Sequence, residues 1–181
     1  CTCGCATCRC PPSTGRPLTR DNARAFGAWH LPLAALFVVL ATMNAAGYRY
    51  AASDQAFYTP AVLRHLDPGL FPRDAALIDS QARIVTVDEV LAGVVRMTGA
   101  SLQSVFLIAY VATLVLLYAG ASWVGSRLYR TRWAVIALVA ALTLRHAIAK
   151  TGANTLESYF HPRALAFALG FLSVGAFLDR R

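Results

Sequence analysis

The chain has little charge. Of its 181 residues only 14% are Asp, Glu, Lys or Arg, against about a quarter in an ordinary soluble domain. The deficit is concentrated in long uncharged runs, the pattern a hydrocarbon environment selects, and mean hydropathy is +0.50. Lysine is almost absent, since sixteen of the seventeen basic residues are arginine. No cysteine follows Cys10, so no disulfide framework or thiolate cluster extends into the body of the chain. The sequence has no glycine-rich phosphate loop, no HExxH pair, no serine-nucleophile motif and no internal repeat. Those absences remove P-loop nucleotide chemistry, the common zinc-hydrolase pattern and nucleophile-elbow acyl transfer.

A formal charge of +8 raises the question of nucleic acid. The arginines, however, fall at the ends of apolar runs and form no basic stripe interleaved with aromatics. Such a distribution reads as membrane topology, with the lipid bilayer as partner and no nucleic acid. Five cysteines lie at Cys1, Cys3, Cys5, Cys8 and Cys10. Closely spaced thiolates can share a soft metal ion, but no histidine or second cysteine group completes a site, and the favoured reading is a stretch that is not native coding sequence. The chain does not begin with Met and stops just after an apolar run. It is therefore expected to be the N-terminal part of a longer protein.

Residues 1–24, with Arg9, Pro11, Pro12, Arg16, Pro17, Arg20 and Arg24, hold too few apolar side chains to bury a core and are expected to form a disordered basic tail. Residues 25–181 read as an all-α membrane domain of about four transmembrane helices, near 29–48, 101–124, 133–149 and 162–178. About 20 residues cross a bilayer core. The first run is bracketed by Trp29 and Tyr48, and the second has no charge between Arg96 and Arg127. The third must continue past Leu144 to span, with Arg145 snorkelling or facing protein. A cleavable signal peptide competes for the first run, but only "NAAGY" offers a cleavage site, and an uncleaved helix is preferred. Flanking arginines favour a cytoplasmic N-terminus, with residues 49–100 and about 146–161 outside.

The long loop, 49–100, carries its own helices. Thr59, Pro60 and then Asp67-Pro68-Gly69 supply the N-cap, first turn and stop of a short one. "LFPRD" reads as an extended turn. Thr86 and Glu89 match a capping box for a second helix. Val87, Val90, Leu91, Val94 and Val95 then form one apolar stripe, with Asp88 and Glu89 off it, which suits a helix in the membrane interface.

Few residues carry chemistry. Asp54, about six residues past the first membrane helix, is placed to act as a general base or to bind a divalent ion; the competing reading is a solvated or N-capping aspartate. The Asp88-Glu89 pair reads as structural, since helix neighbours point about 100° apart. Arg145, His146 and Lys150 end the third helix, and Glu157 to Arg163 open the fourth. Together they offer cations for a lipid-linked phosphate beside a helix N-terminus, with Arg145, His161 and Arg163 as the candidate contacts. The competing reading is ordinary interface anchoring.

A first helix from the inside, a large outer loop that opens on an Asp and holds an interfacial helix, and closely spaced helices after it resemble the N-terminal module of GT-C-type membrane glycosyltransferases. "DQAFYTPAVLRHLDPGLFPRD" and "TLESYFHPRALAFALGFLSVGAF" look like segments of large bacterial polytopic membrane proteins. The resemblance covers about residues 25 to 181 and implies a bacterial inner-membrane location, a polyprenyl-phosphate sugar donor and Asp54 as catalytic base. Many members have two adjacent acidic residues at this point; here Asp54 is followed by Gln55. Two other classes fit the same features: a transporter or channel component for an anionic solute, with Arg145 lining its path, and a membrane scaffold without chemistry.

Overall fold

The computed structural model describes the backbone of residues 20–83, 86–147 and 154–180, and side chains from His30 onward except 81 and 82. The cysteine cluster, the tail up to residue 19 and Lys150 lie outside the described residues. The chain forms two compact units, Cys1–Leu31 and Pro32–Arg181. In the first, the described backbone is helical from Arg20. All else concerns the second.

The described residues are all-helical. The elements are α1 (Arg20–Asn44), α2 (Gln55–Leu66), α3 (Ala75–Ala82), α4 (Val87–Thr98), α5 (Leu102–Leu128), α6 (Arg132–Leu142) and α7 (Pro162–Asp179). The only extended pairing among the described residues is an isolated antiparallel bridge between Ala147 and Asn154.

α5 is the centre. It is apolar all round, 27 residues long and so about 40 Å at 1.5 Å per residue, and it packs against α4, α6 and α7. Ser101 caps its start by accepting from the Ser104 N–H at 3.2 Å. α7 runs parallel to it through two reciprocal close approaches. A Cβ on Gly120 would stand 2.8 Å from the Phe171 Cβ and 3.0 Å from the Leu172 nitrogen, while one on Gly175 would stand 2.8 Å from the Trp123 ring. Small residues let helix backbones approach this closely. At the far end Arg127 pairs with Asp179, which also accepts from the Trp123 indole N–H at 3.2 Å. α6 returns antiparallel, with Val135 and Leu138 against Gly125. The second half of α1 also runs antiparallel to α5: Phe37 meets Tyr118 and Thr42 meets the Tyr110 hydroxyl. The ends at Asn44, Leu102, Thr143 and Pro162 therefore gather on one side of the bundle.

Two helices, α5 and α7, are long and apolar enough to cross a membrane. The outer faces of the bundle are apolar too: Leu36, Val39 and Met43 on α1, Ile108, Val111 and Val115 on α5, and Val174 and Phe177 on α7 are all exposed. The third expected segment, 133–149, is shorter than its span requires. α6 has 11 residues, about 16 Å, and stops at Leu142. There the Thr143 hydroxyl donates to the Ala140 carbonyl at 2.7 Å and the Thr143 carbonyl accepts from the Asn44 amide at 3.0 Å. A side chain bonding back to the preceding turn competes with helix propagation. Arg145 and His146 consequently leave the helix, and His146 is tied to Thr155 at 3.0 Å.

The helices of the long loop pack as a small layer, with α2 against α3 and α4. α2 begins at Gln55, four residues before the expected N-cap at Thr59, so Pro60 lies inside it. α3 has no counterpart in the sequence expectation; the Arg64 guanidinium secures it by gripping both Asp79 oxygens, at 2.9 and 3.1 Å. α4 starts after Thr86 as expected, but without the capping-box bond. Its apolar stripe is divided. Val87, Leu91 and Val95 face the core, whereas Val90, Val94 and Met97 are exposed. Asp88, expected off the stripe, is only 2% exposed, with Oδ1 lacking a hydrogen-bond partner. Burial pushes its carboxyl up to about 6, partly opposed by His65 and reinforced by Glu89.

Two predictions follow from this packing. Gly120→Val drives side-chain atoms into the α7 backbone and is expected to lower stability by about 1–3 kcal/mol, read as a reduced unfolding midpoint of the purified protein; an unchanged midpoint would contradict the close approach. The raised Asp88 carboxyl means the folded state binds more protons than the unfolded one between 3.8 and about 6, so stability falls as pH rises through that window. Asp88→Asn should therefore stabilise near neutral pH, by on the order of 2–3 kcal/mol. The gain should shrink on acidification and vanish below 3.8, as pH-resolved thermal melts would reveal.

Candidate functional site

The site lies where the segment between α1 and α2 meets the segment between α6 and α7. The first segment turns sharply. Ala46, Ala51 and Ser53 all have positive φ, at 66°, 57° and 50°, and Gly47 has 83°. Non-glycine residues in the left-handed region cost free energy and persist only where neighbours over-determine them. Gln55 does much of that fixing. Its fully buried amide accepts from the Ala51 N–H at 2.8 Å and donates to the Phe160 carbonyl at 3.1 Å. The Arg49 N–H adds a bond to the Ser158 carbonyl at 2.7 Å. Below this, Phe106 is completely buried and meets Tyr50 and Phe160 edge-on, at 5.7 and 6.2 Å.

Asp54 occupies the N-cap position of α2 but makes no side-chain cap. Its Oδ2 lies 3.1 Å from His161 Nε2 instead. His161 is itself the N-cap of α7: its Nδ1 accepts from the Arg163 N–H at 3.0 Å. An acceptor at Nδ1 leaves the proton of a neutral imidazole on Nε2, so His161 donates to the carboxylate. Burial first, and then the Arg163 charge, lower the His161 pKa, against the opposing pull of Asp54 and Glu157. Tyr58 and Tyr159 hold the ring, at 5.7 and 6.1 Å between centroids.

A cavity of about 500 Å³ opens beside this pair, and Asp54, Arg49, Arg145, Arg163, Asn154 and Glu157 are among its lining residues. Arg163 is paired with Glu157 at 3.1 Å, and Glu157 also accepts from the Asn154 N–H at the same distance. Among the described residues neither Arg49 nor Arg145 has a carboxylate partner. The cavity thus joins one half-exposed carboxylate to three guanidiniums.

Asp54, Arg145 and Arg163, separated by up to 109 positions, line one cavity. His161 reaches Asp54 but leaves no ring nitrogen for a phosphate, so the expected phosphate contact is replaced by a bond to the candidate base. Arg49 also lines the cavity, and no motif in the sequence marks it. Its only signal is its place between the first apolar run and Asp54. The donor set does not fit a divalent ion: Asp54 is half engaged, Glu157 is committed to Arg163, and cations surround both. No group of three His, Cys, Asp or Glu side chains able to hold a metal occurs among the described residues. The Gln55 side chain, next to Asp54, is buried in the core. Comparison with protein-family models, curated proteins and solved structures finds no match.

Gln55→Glu removes the donor to the Phe160 carbonyl and buries a charge. It is expected to cost about 3 kcal/mol or more, measurable as a fall in the thermal midpoint. A variant as stable as the wild type would remove Gln55 from its bridging role.

Proposed function

We propose that this chain is the N-terminal module of a GT-C-like membrane glycosyltransferase, which moves a sugar from a polyprenyl-phosphate donor to an acceptor hydroxyl at the outer face of a bacterial inner membrane. The observation that carries this reading is the single cavity that joins Asp54 to Arg49, Arg145 and Arg163 at one end of the apolar helices. In this reading α5 and α7 cross the bilayer, α1 enters from a cytoplasmic N-terminus, α6 returns toward the outer face, and residues 49–100 form an outer helical layer. The exposed apolar faces of α1, α5 and α7 support it, because a soluble chain rarely leaves so much contiguous apolar surface to water. The basic residues Arg127, Arg130, Arg132 and Arg180 at the opposite end support the orientation.

The chemistry is an inverting displacement. Asp54 takes the acceptor hydroxyl proton as the acceptor oxygen bonds to the anomeric carbon. The bond from that carbon to the phosphate oxygen breaks, and its electron pair leaves on the phosphate. The guanidiniums of Arg49, Arg145 and Arg163 stabilise the charge that accumulates there.

Asp54→Asn in the full-length protein is expected to lower glycosyl transfer by about 10²–10⁴-fold, assayed with a radiolabelled polyprenyl-phosphate sugar in proteoliposomes. Undiminished turnover would remove Asp54 from the reaction.

A further inference from the structure

We infer that His161 is a positioning residue, which holds Asp54 Oδ2 through a proton locked on Nε2 and so leaves Oδ1 as the atom that receives the acceptor proton. The inference rests on Asp54 being the base, and it adds which oxygen reacts and what orients it. Three observations carry it. The Nε2–Oδ2 distance is 3.1 Å. The Arg163 N–H donates to Nδ1 at 3.0 Å, which excludes the tautomer with its proton on Nδ1. The ring is buried, with Tyr58 and Tyr159 at 5.7 and 6.1 Å between centroids. Oδ1 makes no hydrogen bond among the described residues, and Asp54 lines the cavity whereas His161 does not.

The geometry is economical. One imidazole both starts α7 and orients the base, so the helix that carries Arg163 cannot shift without moving the carboxylate. Protonation of His161 would set an N–H against the Arg163 N–H and break the cap. The lowered His161 pKa therefore favours the neutral, donating form.

Two substitutions separate the two ring nitrogens. Asparagine places its amide near the Nδ1 position and is a good N-cap; glutamine reaches the Nε2 position. His161→Asn should keep the thermal midpoint but lower kcat by about 100-fold, the scale of a misplaced catalytic group, with KM for donor and acceptor unchanged. His161→Gln should lose the cap and some stability, yet retain most of kcat. The opposite ranking, with Asn active and Gln inactive, would make His161 a structural cap only and overturn the inference.

A readout that needs no activity separates this inference from the proposed function. In histidine-labelled ¹⁵N protein in lipid nanodiscs, His161 should carry its proton on Nε2, and Asp54→Ala should shift that proton resonance. A proton on Nδ1, or no response to Asp54→Ala, overturns the inference even if glycosyl transfer is confirmed. The expected spectrum together with full transfer by Asp54→Asn would sink the assignment of Asp54 as base, and the inferred role with it, while leaving the His161–Asp54 bond established.

Discussion

The candidate site depends on one buried amide. Gln55 has no contact with solvent, and it bonds on one side to the Ala51 N–H and on the other to the Phe160 carbonyl. Each bond is worth only about 1 kcal/mol net, but leaving either group unpaired in the interior would cost more. The amide therefore ties together two segments more than a hundred residues apart. Asp54 precedes Gln55 and His161 follows Phe160, so their pairing is a direct consequence. The left-handed residues at Ala46, Ala51 and Ser53 are the conformational cost of bringing the first segment round.

The same two bonds call for a neutral amide at position 55. A carboxylate at position 55 could accept from Ala51 but not donate to Phe160, and it would carry a charge into the core. The chain has a neutral group there that does both. The cavity thereby holds Asp54, with a histidine behind it, and Glu157, committed to Arg163, among three guanidiniums.

The bundle supplies the frame. Gly120 and Gly175 bring α5 and α7 into near backbone contact, and α7 thereby fixes the position of its N-terminus, with His161 and Arg163, against α5. The early end of α6 has a related effect. Because Thr143 closes the helix, Arg145 departs from the helix axis and the chain folds back to Thr155, which brings that arginine to the cavity wall. The same segment that shortens α6 gives the cavity Arg145, one of its arginines with no carboxylate partner among the described residues.

The sequence alone determined what depends on short-range pattern. The all-helical class, the existence of α5 and α7 as long apolar helices, the start of α4 and the stop of α2 at Asp67-Pro68-Gly69 follow from apolar runs and helix signals that act over a few residues. Asp54 and the Arg145, His161 and Arg163 group were visible as charges at the ends of apolar runs. Tertiary structure decided everything that turns on partners far along the chain. The start of α2, the burial of Asp88 and the existence of α3 come from packing and from the Arg64–Asp79 pair, which no local pattern marks. Only the folded chain shows that Asp54 is held by His161 rather than capping its own helix. A side chain with two possible partners goes to the one the fold brings within reach, and that distance is a property of the whole bundle.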